Sequence, residues 1–409
     1  MYARVCAVVL THWHWIWHSN RTEASVMLAG NRVSFLITGL ARGGAENQVV
    51  NIASRLKQRG WDAHIISMLP LMEFGSELAE ADIPVDCLNM RRKIPDPRGA
   101  LRLIRILRRH KTGILHCHMV HANLLGRLVR PLARIPVLIC TAHNMNEGGR
   151  WRELAYRITH RLADLTTSVS QAAAERYIEV GAVPGGDIAV IPPGIDTDRF
   201  RKNPSAGRRL RAELGLGEEF VWLAVGNFWT ANDHPNLLSG FAETLKMRED
   251  ARLLLVGEGP LKSQAQAAAR RLGMSDHVRF LGRRTDVRAL MNAADAYVMS
   301  SAWEGMPAVL LEASAAELPI VATDVGGNRE VVDDGVSGLL VPPRNSDALA
   351  DAMTRVMARS EAELGRMGKQ GRARTVAHYD LELIVDRWEA IYHQFLEDKS
   401  PGALTHVRG

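Results

Sequence analysis

Short apolar runs alternate with amphipathic stretches along most of the chain, and that alternation predicts its elements. Residues 32–38 (RVSFLIT) read as a buried strand, and the following GLARGGAENQVVNIASRLKQRG opens a helix at Gly39, Gly43 and Gly44. Val49, Val50, Ile52, Ala53 and Leu56 keep mostly to one face, Gly60 ends the helix, and WDAHIIS at 61–67 is the next strand. Strand, glycine turn, helix and strand make a βαβ unit. Further strands are predicted at 83–88, 113–117, 137–141, 164–169 and 188–191, with helices at 99–110, 120–130, 151–161 and from 171. Residues 192–219 break the rhythm with Pro192, Pro193, glycines and a charge run, the composition of a linker leading into a short helix. The alternation then restarts, with strands at 221–227, 251–257, 277–281, 295–299 and 319–323 and candidates at 329–332 and 338–341. Helices fill 234–247, 261–272, 286–292, 346–358, 361–378 and 382–396. The pattern is α/β: two doubly wound, Rossmann-like domains facing each other, with a cleft between the C-terminal ends of their sheets.

The stretch at 301–324, SAWEGMPAVLLEASAAELPIVATD, reads as loop, helix, loop and strand. Pro307 suits the first helical turn, and Gly305 and Met306 set backbone N–H groups beside a helix N-terminus that can hold a phosphate. Glu304 stands before that turn, and Glu312 lies eight residues on, inside the helix. Carboxylates on both sides of an anion-binding end suit a sugar nucleotide; the alternative is one loop glutamate and one solvated helix glutamate. Because Ala308–Leu311 makes the helix start apolar nearly all round, a carboxylate there needs a partner.

A length of 409 residues exceeds what one core usually supports, which agrees with two domains. The net charge of +6 is mild and fits an anionic ligand or membrane surface as well as nucleic acid. Cys6, Cys87, Cys117 and Cys140 form no close pair in sequence and no metal-ligand cluster, and three fall in predicted strands, so buried thiols in a reducing compartment are expected. No run approaches the length of a membrane-spanning helix. Residues 1–30 make a poor signal peptide and read as a dispensable extension, with Met27 an alternative start.

Other candidates are weighed in the same way. GLARGG lacks the dinucleotide spacing, so no nicotinamide site is expected, but Gly43 and Gly44 let a ligand approach the backbone. His116, His118, His121 and His143 gather at two strand ends; His143, in TAHN, lies where an active-site residue belongs, while packing or capping suits His116 and His121. Asp196-Thr197-Asp198 is read as an Asx turn rather than a cation site, and no metal is expected. The helix carrying Arg98, Arg102, Arg105, Arg108, Arg109 and Lys111 could face anionic lipid or simply solvent. Nucleic-acid binding is disfavoured, since no aromatic interleaving accompanies the charge.

Together these stretches resemble the family 4 retaining glycosyltransferases of GT-B fold. The carriers are EGMPAVLLEASA at 304–315, ATDVGGNREVVDDGVSGLLVPP at 322–343, GLARGGAE at 39–46, TAHN at 141–144, PPGIDTDRF at 192–200 and FLGRRTDV at 280–287. The likeness spans residues 31–396, and HMVHANLLGR and NEGGRWRELAYR point towards bacterial exopolysaccharide or lipid-linked oligosaccharide transferases. The resemblance implies that residues 31–200 bind acceptor, that residues 201–380 bind a nucleotide-sugar, and that helix 381–397 returns to the first domain before a tail at 398–409. It implies that Glu304 contacts donor-sugar hydroxyls and Glu312 the ribose. Gly43, Gly44, Gly305, Met306 and Pro307 would lie near the diphosphate, and His143 near the donor sugar. It further implies a UDP- or GDP-linked donor, no cofactor, a glycan or polyprenyl-linked acceptor, and a cytoplasmic protein that touches the membrane peripherally. One departure stands out. Where the family carries an Arg and a Lys that neutralise the diphosphate, VGNFWTANDHPNLL has Asn227 and Asn232, so Arg283, Arg284 or Arg42 would have to compensate. PPG at 192–194 stands where the family has PNG. The competing readings are a non-catalytic assembly subunit, a nucleotide-sugar epimerase and, more distantly, a nucleic-acid-binding protein.

Overall fold

Seven strands build the first sheet: β1 (Arg32–Ile37), β2 (Asp62–Ser67), β3 (Val85–Cys87), β4 (Ile114–His118), β5 (Val137–Ala142), β6 (Leu165–Ser168) and β7 (Ile188–Val190). All pair in parallel, in the order β3-β2-β1-β4-β5-β6-β7. The helices between them are α1 (Gly44–Gln58), α2 (Gly75–Glu80), α3 (Pro97–Arg109), α4 (Val120–Ala133), α5 (Arg150–Thr159) and α6 (Gln171–Glu179). A computed structural model describes residues 31–41, 43–71, 73–91, 96–145 and 148–399. The expected extension at 1–30, Arg42 and the tail after 399 lie outside the described residues.

After α7 (Pro204–Glu213), the second sheet runs β10-β9-β8-β11-β12-β13, again entirely parallel. Its strands are β8 (Phe220–Val225), β9 (Ala251–Val256), β10 (Val278–Gly282), β11 (Ala296–Met299), β12 (Ile320–Thr323) and β13 (Gly338–Val341). Between them stand α8 (His234–Met247), α9 (Lys262–Arg271), α10 (Val287–Ala293), α11 (Ala308–Ala315) and α12 (Asn328–Val331), followed by α13 (Ser346–Met357), α14 (Glu361–Tyr379) and α15 (Leu381–Asp398). This is the doubly wound, two-domain GT-B architecture.

Strands covered on both faces must be apolar nearly throughout. Phe35 and Ile37 of β1 face one buried cluster while Leu36 faces the other. The first of those clusters also takes in Leu381, Ile384, Val385, Trp388 and Tyr392 of α15. The C-terminal helix therefore completes the core under the first sheet. Arg59 fixes it there, reaching Glu382, Asp386 and Glu389 at 2.6, 2.6 and 2.8 Å.

Strand order decides where a ligand goes. It reverses between β1 and β4 in one sheet and between β8 and β11 in the other, and in open sheets the crevice opens beyond the strand ends at such points. The segments leaving these strands are the glycine loop at 39–44, His118, the loop at 226–232 and the loop at 300–307.

One local expectation needs correcting. Residues 328–331 form the helical turn α12, not a strand. Gly326, at φ +53°, turns the chain, and the Asn328 amide donates to the Thr323 carbonyl at 2.9 Å, curling the backbone before it can extend. Helix α2 had no sequence signal strong enough to predict it. Cys117 and Cys140 are buried free thiols as expected and, although remote in sequence, are register partners on β4 and β5.

Candidate active site

The two glycine-bearing loops bring helix starts together. Helix α1 follows Gly43 and α11 follows Pro307, and neither has a side-chain cap. Both starts lie at the positive ends of helix dipoles; in α1 the Glu46 carboxylate already bonds its own N–H, whereas Ala308 and Val309 open α11 with no side-chain cap. A β-carbon built on Gly44 would lie 4.0 Å from that of Ala308, so the two starts oppose each other across the cleft. Pro307 itself is the N-cap, with φ −74° and ψ 118°, one position earlier than the first-turn placement expected from sequence. The pyrrolidine fixes the entry angle there, which leaves Ala308 and Val309 as the first helical N–H groups.

Glu304 and Glu312 sit deep in the second domain, each with an edge left open. Burial raises the Glu304 carboxyl to about 7, while the Ser301 hydroxyl, donating to Oε1 at 2.8 Å, pulls the other way. Burial also raises Glu312 to about 7, opposed by the charge of Arg199. Both act on one neighbour. The Tyr297 phenol is raised first by its own burial and then by the charges of Glu312 and Glu304. The two carboxylates thus share one neighbourhood, each short of donors, as a site for ligand hydroxyls would be.

From the first domain comes a row of histidines. His143, just past β5, holds His118 of β4 through Nε2 to Nδ1 at 2.9 Å. The His118 ring lies against His116 (4.1 Å between centroids), and His116 bonds the Tyr392 hydroxyl and Thr141, each at 2.7 Å. Burial lowers the pKa of His143 to about 4. Burial, then the neighbouring imidazoles, hold His118 and His116 well below the ordinary range. At neutral pH His143 is therefore an uncharged hydrogen-bonding group. His118 Nε2 is buried with no partner among the described residues. His121 lies apart, with its Nε2 3.4 Å from Arg152.

The domains meet at a knot of glycines. A β-carbon on Gly305 would overlap the carbonyl oxygen of His143, and one on Gly326 would overlap that of Glu304. The Gly327 N–H donates to the Gly305 carbonyl at 2.6 Å. Met306 is buried in the core of the second domain, a cluster that Val169 of the first domain also joins. Next to the knot, Glu330 of α12 accepts from the N–H groups of Gln171 and Ala172 at 3.1 and 3.2 Å, capping α6 of the other domain.

Charge is distributed unevenly. Asn227 is exposed and Asn232 half-buried, in a loop pinned to the next turn by the Phe228 N–H donating to the Glu258 carbonyl at 2.9 Å. Arg284 is held by Asp286 in a two-point pair at 2.7 and 2.5 Å. Arg283 crosses the cleft to Glu73. Asp196 serves a turn, accepting from the Arg199 N–H at 2.8 Å and pairing with Arg55 at 3.0 Å. Sequence reasoning overlooked Glu46, which burial raises to about 7 and whose carboxylate lies against Gly43. Its place two residues after the glycine pair was the available signal. It also missed Glu330, whose partners are set only by how the domains meet.

Two facing Rossmann-like domains with their ligand crevices opposed make the GT-B fold. The family profile for glycosyl transferases group 1 matches residues 208–374, and that for glycosyltransferase family 4 matches residues 42–199. The chain is thus a glycosyltransferase related to these enzymes, which act on nucleoside-diphosphate sugars. It is 27% identical to the UDP-Gal:alpha-D-GlcNAc-diphosphoundecaprenol alpha-1,3-galactosyltransferase of Escherichia coli, across 78% of this chain and 84% of that one. It is 29% identical to the GDP-mannose-dependent alpha-(1-6)-phosphatidylinositol monomannoside mannosyltransferase of Mycobacterium tuberculosis (strain ATCC 25618 / H37Rv), across 64% and 70%. Among solved structures, Anabaena Alr3699/HepE in complex with UDP-glucose has the same fold, with a TM-score of 0.79, 23% identity and coverage of 89% and 99%. Among the described residues, no helix is long and apolar enough to cross a membrane.

Proposed function

We propose that this protein is a retaining transferase that moves a hexose from a UDP- or GDP-linked donor to an acceptor hydroxyl of a lipid-linked or polysaccharide glycan. The observation that carries the reading is the pair of donor-poor carboxylates, Glu304 and Glu312, beside two opposed, uncapped helix starts. The ribose hydroxyls donate to Glu312 and the sugar hydroxyls to Glu304. The diphosphate lies against the N-termini at Gly44 and Ala308, near Gly43, Gly305, Met306 and Pro307. His143, uncharged and oriented by His118, hydrogen-bonds the sugar. In transfer, the bond from the anomeric carbon to the leaving phosphate oxygen breaks, and a bond to the acceptor oxygen forms on the same face. The acceptor proton passes to the departing phosphate, so nucleoside diphosphate leaves and the configuration is kept. Residues 31–200 supply the acceptor side and residues 201–380 the donor side. UDP and GDP are named for two of the relatives' donors, which favours these bases here.

The acceptor side carries a surface suited to a lipid-linked substrate. Helices α3, α4 and α5 pack side by side, and Trp151 and Ile158 of α5 are 83% and 73% exposed beside exposed Leu128 and Leu132 of α4. Arg105 and Arg108 of α3 and Arg157 of α5 are exposed on the same helices. Apolar side chains among arginines suit the interface of an anionic membrane, and we place the protein at its cytoplasmic face.

Thermal unfolding across UDP-, GDP- and ADP-sugars, in the parent and in Glu312→Ala, tests the donor site. A ligand that binds only the native state raises the melting temperature by mass action. One nucleotide class should protect the parent, and the variant should lose that protection. Absence of protection by any sugar nucleotide would overturn the reading. Protection without turnover would favour a non-catalytic subunit, the reading that the uncharged Asn227 and Asn232 suggest.

A further inference from the structure

A second cluster of ligating side chains stands at the β3 edge of the first sheet, away from the β1/β4 crevice. His64 is the third residue of β2, Asp86 is the middle residue of β3, and His110 follows the last residue of α3. One oxygen, Asp86 Oδ2, lies 3.2 Å from His64 Nε2 and 3.4 Å from His110 Nε2. The rings stack 3.9 Å apart with 18° between their planes, and the ligating atoms all lie within 4.8 Å of one another. Bonds of roughly 2.0–2.2 Å to a tetrahedral zinc put neighbouring ligand atoms about 3.3–3.6 Å apart. The two measured edges are therefore close to those of a metal site, although the stacked rings aim their Nε2 lone pairs side by side, so the His110 ring would turn out of the stack as the ion enters.

The surroundings agree. His64 is buried, and its other nitrogen lies 3.5 Å from Ser34 Oγ, itself 2.8 Å from Thr112 Oγ1, the kind of outer partner that orients a ligating imidazole. A cation already occupies the mouth. Arg109 Nη2 lies 2.9 Å from Asp86 Oδ2 and 3.4 Å from His110 Nε2, on a side chain exposed enough to swing away. We propose that His64 Nε2, His110 Nε2 and the Asp86 carboxylate bind a first-row divalent transition metal, of which zinc is the best match, with Arg109 standing in its place when the ion is absent. Two imidazoles and one carboxylate suit zinc, cobalt or nickel over the all-oxygen cations magnesium and calcium. The ion would tie the edge strand β3, its neighbour β2 and the end of the basic helix α3 into one unit, remote from the donor site.

The test uses the full chain, stripped with a chelator and titrated with Zn2+, and with Co2+ for its visible absorption. One equivalent should bind, raise the melting temperature and, with Co2+, give the intense bands of a four-coordinate ion. His110→Ala and Asp86→Asn should each weaken binding by at least ~100-fold, beyond the 10–100-fold of an outer-shell change. Arg109→Ala should bind at least as tightly as the parent. Both ligand positions are only partly buried, so the metal-free variants should melt cooperatively near the parent. If His110→Ala and Asp86→Asn bind as the parent does, other histidines hold the ion and the proposal fails. It fails equally if no saturable equivalent binds, or if Arg109→Ala abolishes binding.

Discussion

Glu304 and Glu312 hold charges that the free protein does little to stabilise, and this makes their cost measurable. A carboxyl near 4.5 when unfolded and about 7 when folded adds no penalty below pH 4.5, because both states are then protonated. Between 4.5 and 7 the unfolded state ionises first, so stability falls, and above 7 the loss is constant. Each group could cost at most about 3 kcal/mol, and less in practice because water reaches its open edge. Glu312→Gln should therefore raise the melting temperature of the ligand-free protein at pH 8, with the gain shrinking towards pH 5, while donor binding weakens. Calorimetry at both pH values decides it; a gain independent of pH would mean that burial does not govern this group. His118 makes a second residue-scale case. As the residue that positions His143, its replacement by Leu should lower kcat by about 10–100-fold with little change in donor KM, and the loss should be non-additive with His143→Ala. Additive losses would mean that the 2.9 Å contact does not act through His143. The glutamates were legible in sequence because they flank one loop-to-helix turn. The tie between His118 and His143 was not, since it depends on β4 and β5 lying side by side.

At the scale of elements, the knot where the domains touch is built from short pieces whose roles local pattern hides. Residues 329–332 read as a strand candidate, yet the turn at Gly326 and the Asn328 side-chain amide curl 328–331 into α12. That curl aims Glu330 at the start of α6. The carboxylate caps a helix of the opposite domain, so Glu330→Ala leaves two N–H groups unpaired only when the domains are together. Loss of a cap costs about 0.5–2 kcal/mol. The expected result is a looser pair of domains, seen as a larger radius of gyration by solution scattering and a raised donor KM, with each domain still folded. An unchanged radius and KM would show that the glycine contacts alone hold the domains. Gly305→Ala probes those contacts, because the added methyl would overlap the His143 carbonyl. It should cut kcat/KM by more than about 10-fold, consistent with small displacements near the chemistry being costly. The doubly wound domains themselves were readable from alternation alone, since buried parallel strands are short and nearly all apolar; α2 escaped because its six residues carry too little periodicity.

For the molecule as a whole, the open question is electrostatic. Nucleoside diphosphate leaves with added negative charge, and the loop after β8 offers two asparagines rather than cations. Arg284 is occupied by Asp286, whereas Arg283, at the end of β10, already crosses the cleft to Glu73 of the first domain. A diphosphate arriving at the two helix starts would compete with Glu73 for that guanidinium, and Arg283 would then bring charge to it. Arg283→Ala should accordingly lower kcat/KM by about 10²–10³, the scale of removing one donor that stabilises developing charge. Glu73→Gln, which frees the guanidinium, should leave the rate equal or higher. Adding Asn232→Lys to Arg283→Ala should recover part of the loss, since it returns a cation to the second domain's side of the crevice. Recovery would identify charge, rather than any particular contact, as what the asparagine loop lacks. If Arg283→Ala costs nothing, the opposed helix dipoles already carry the leaving group, and the asparagines are then sufficient as hydrogen-bond donors.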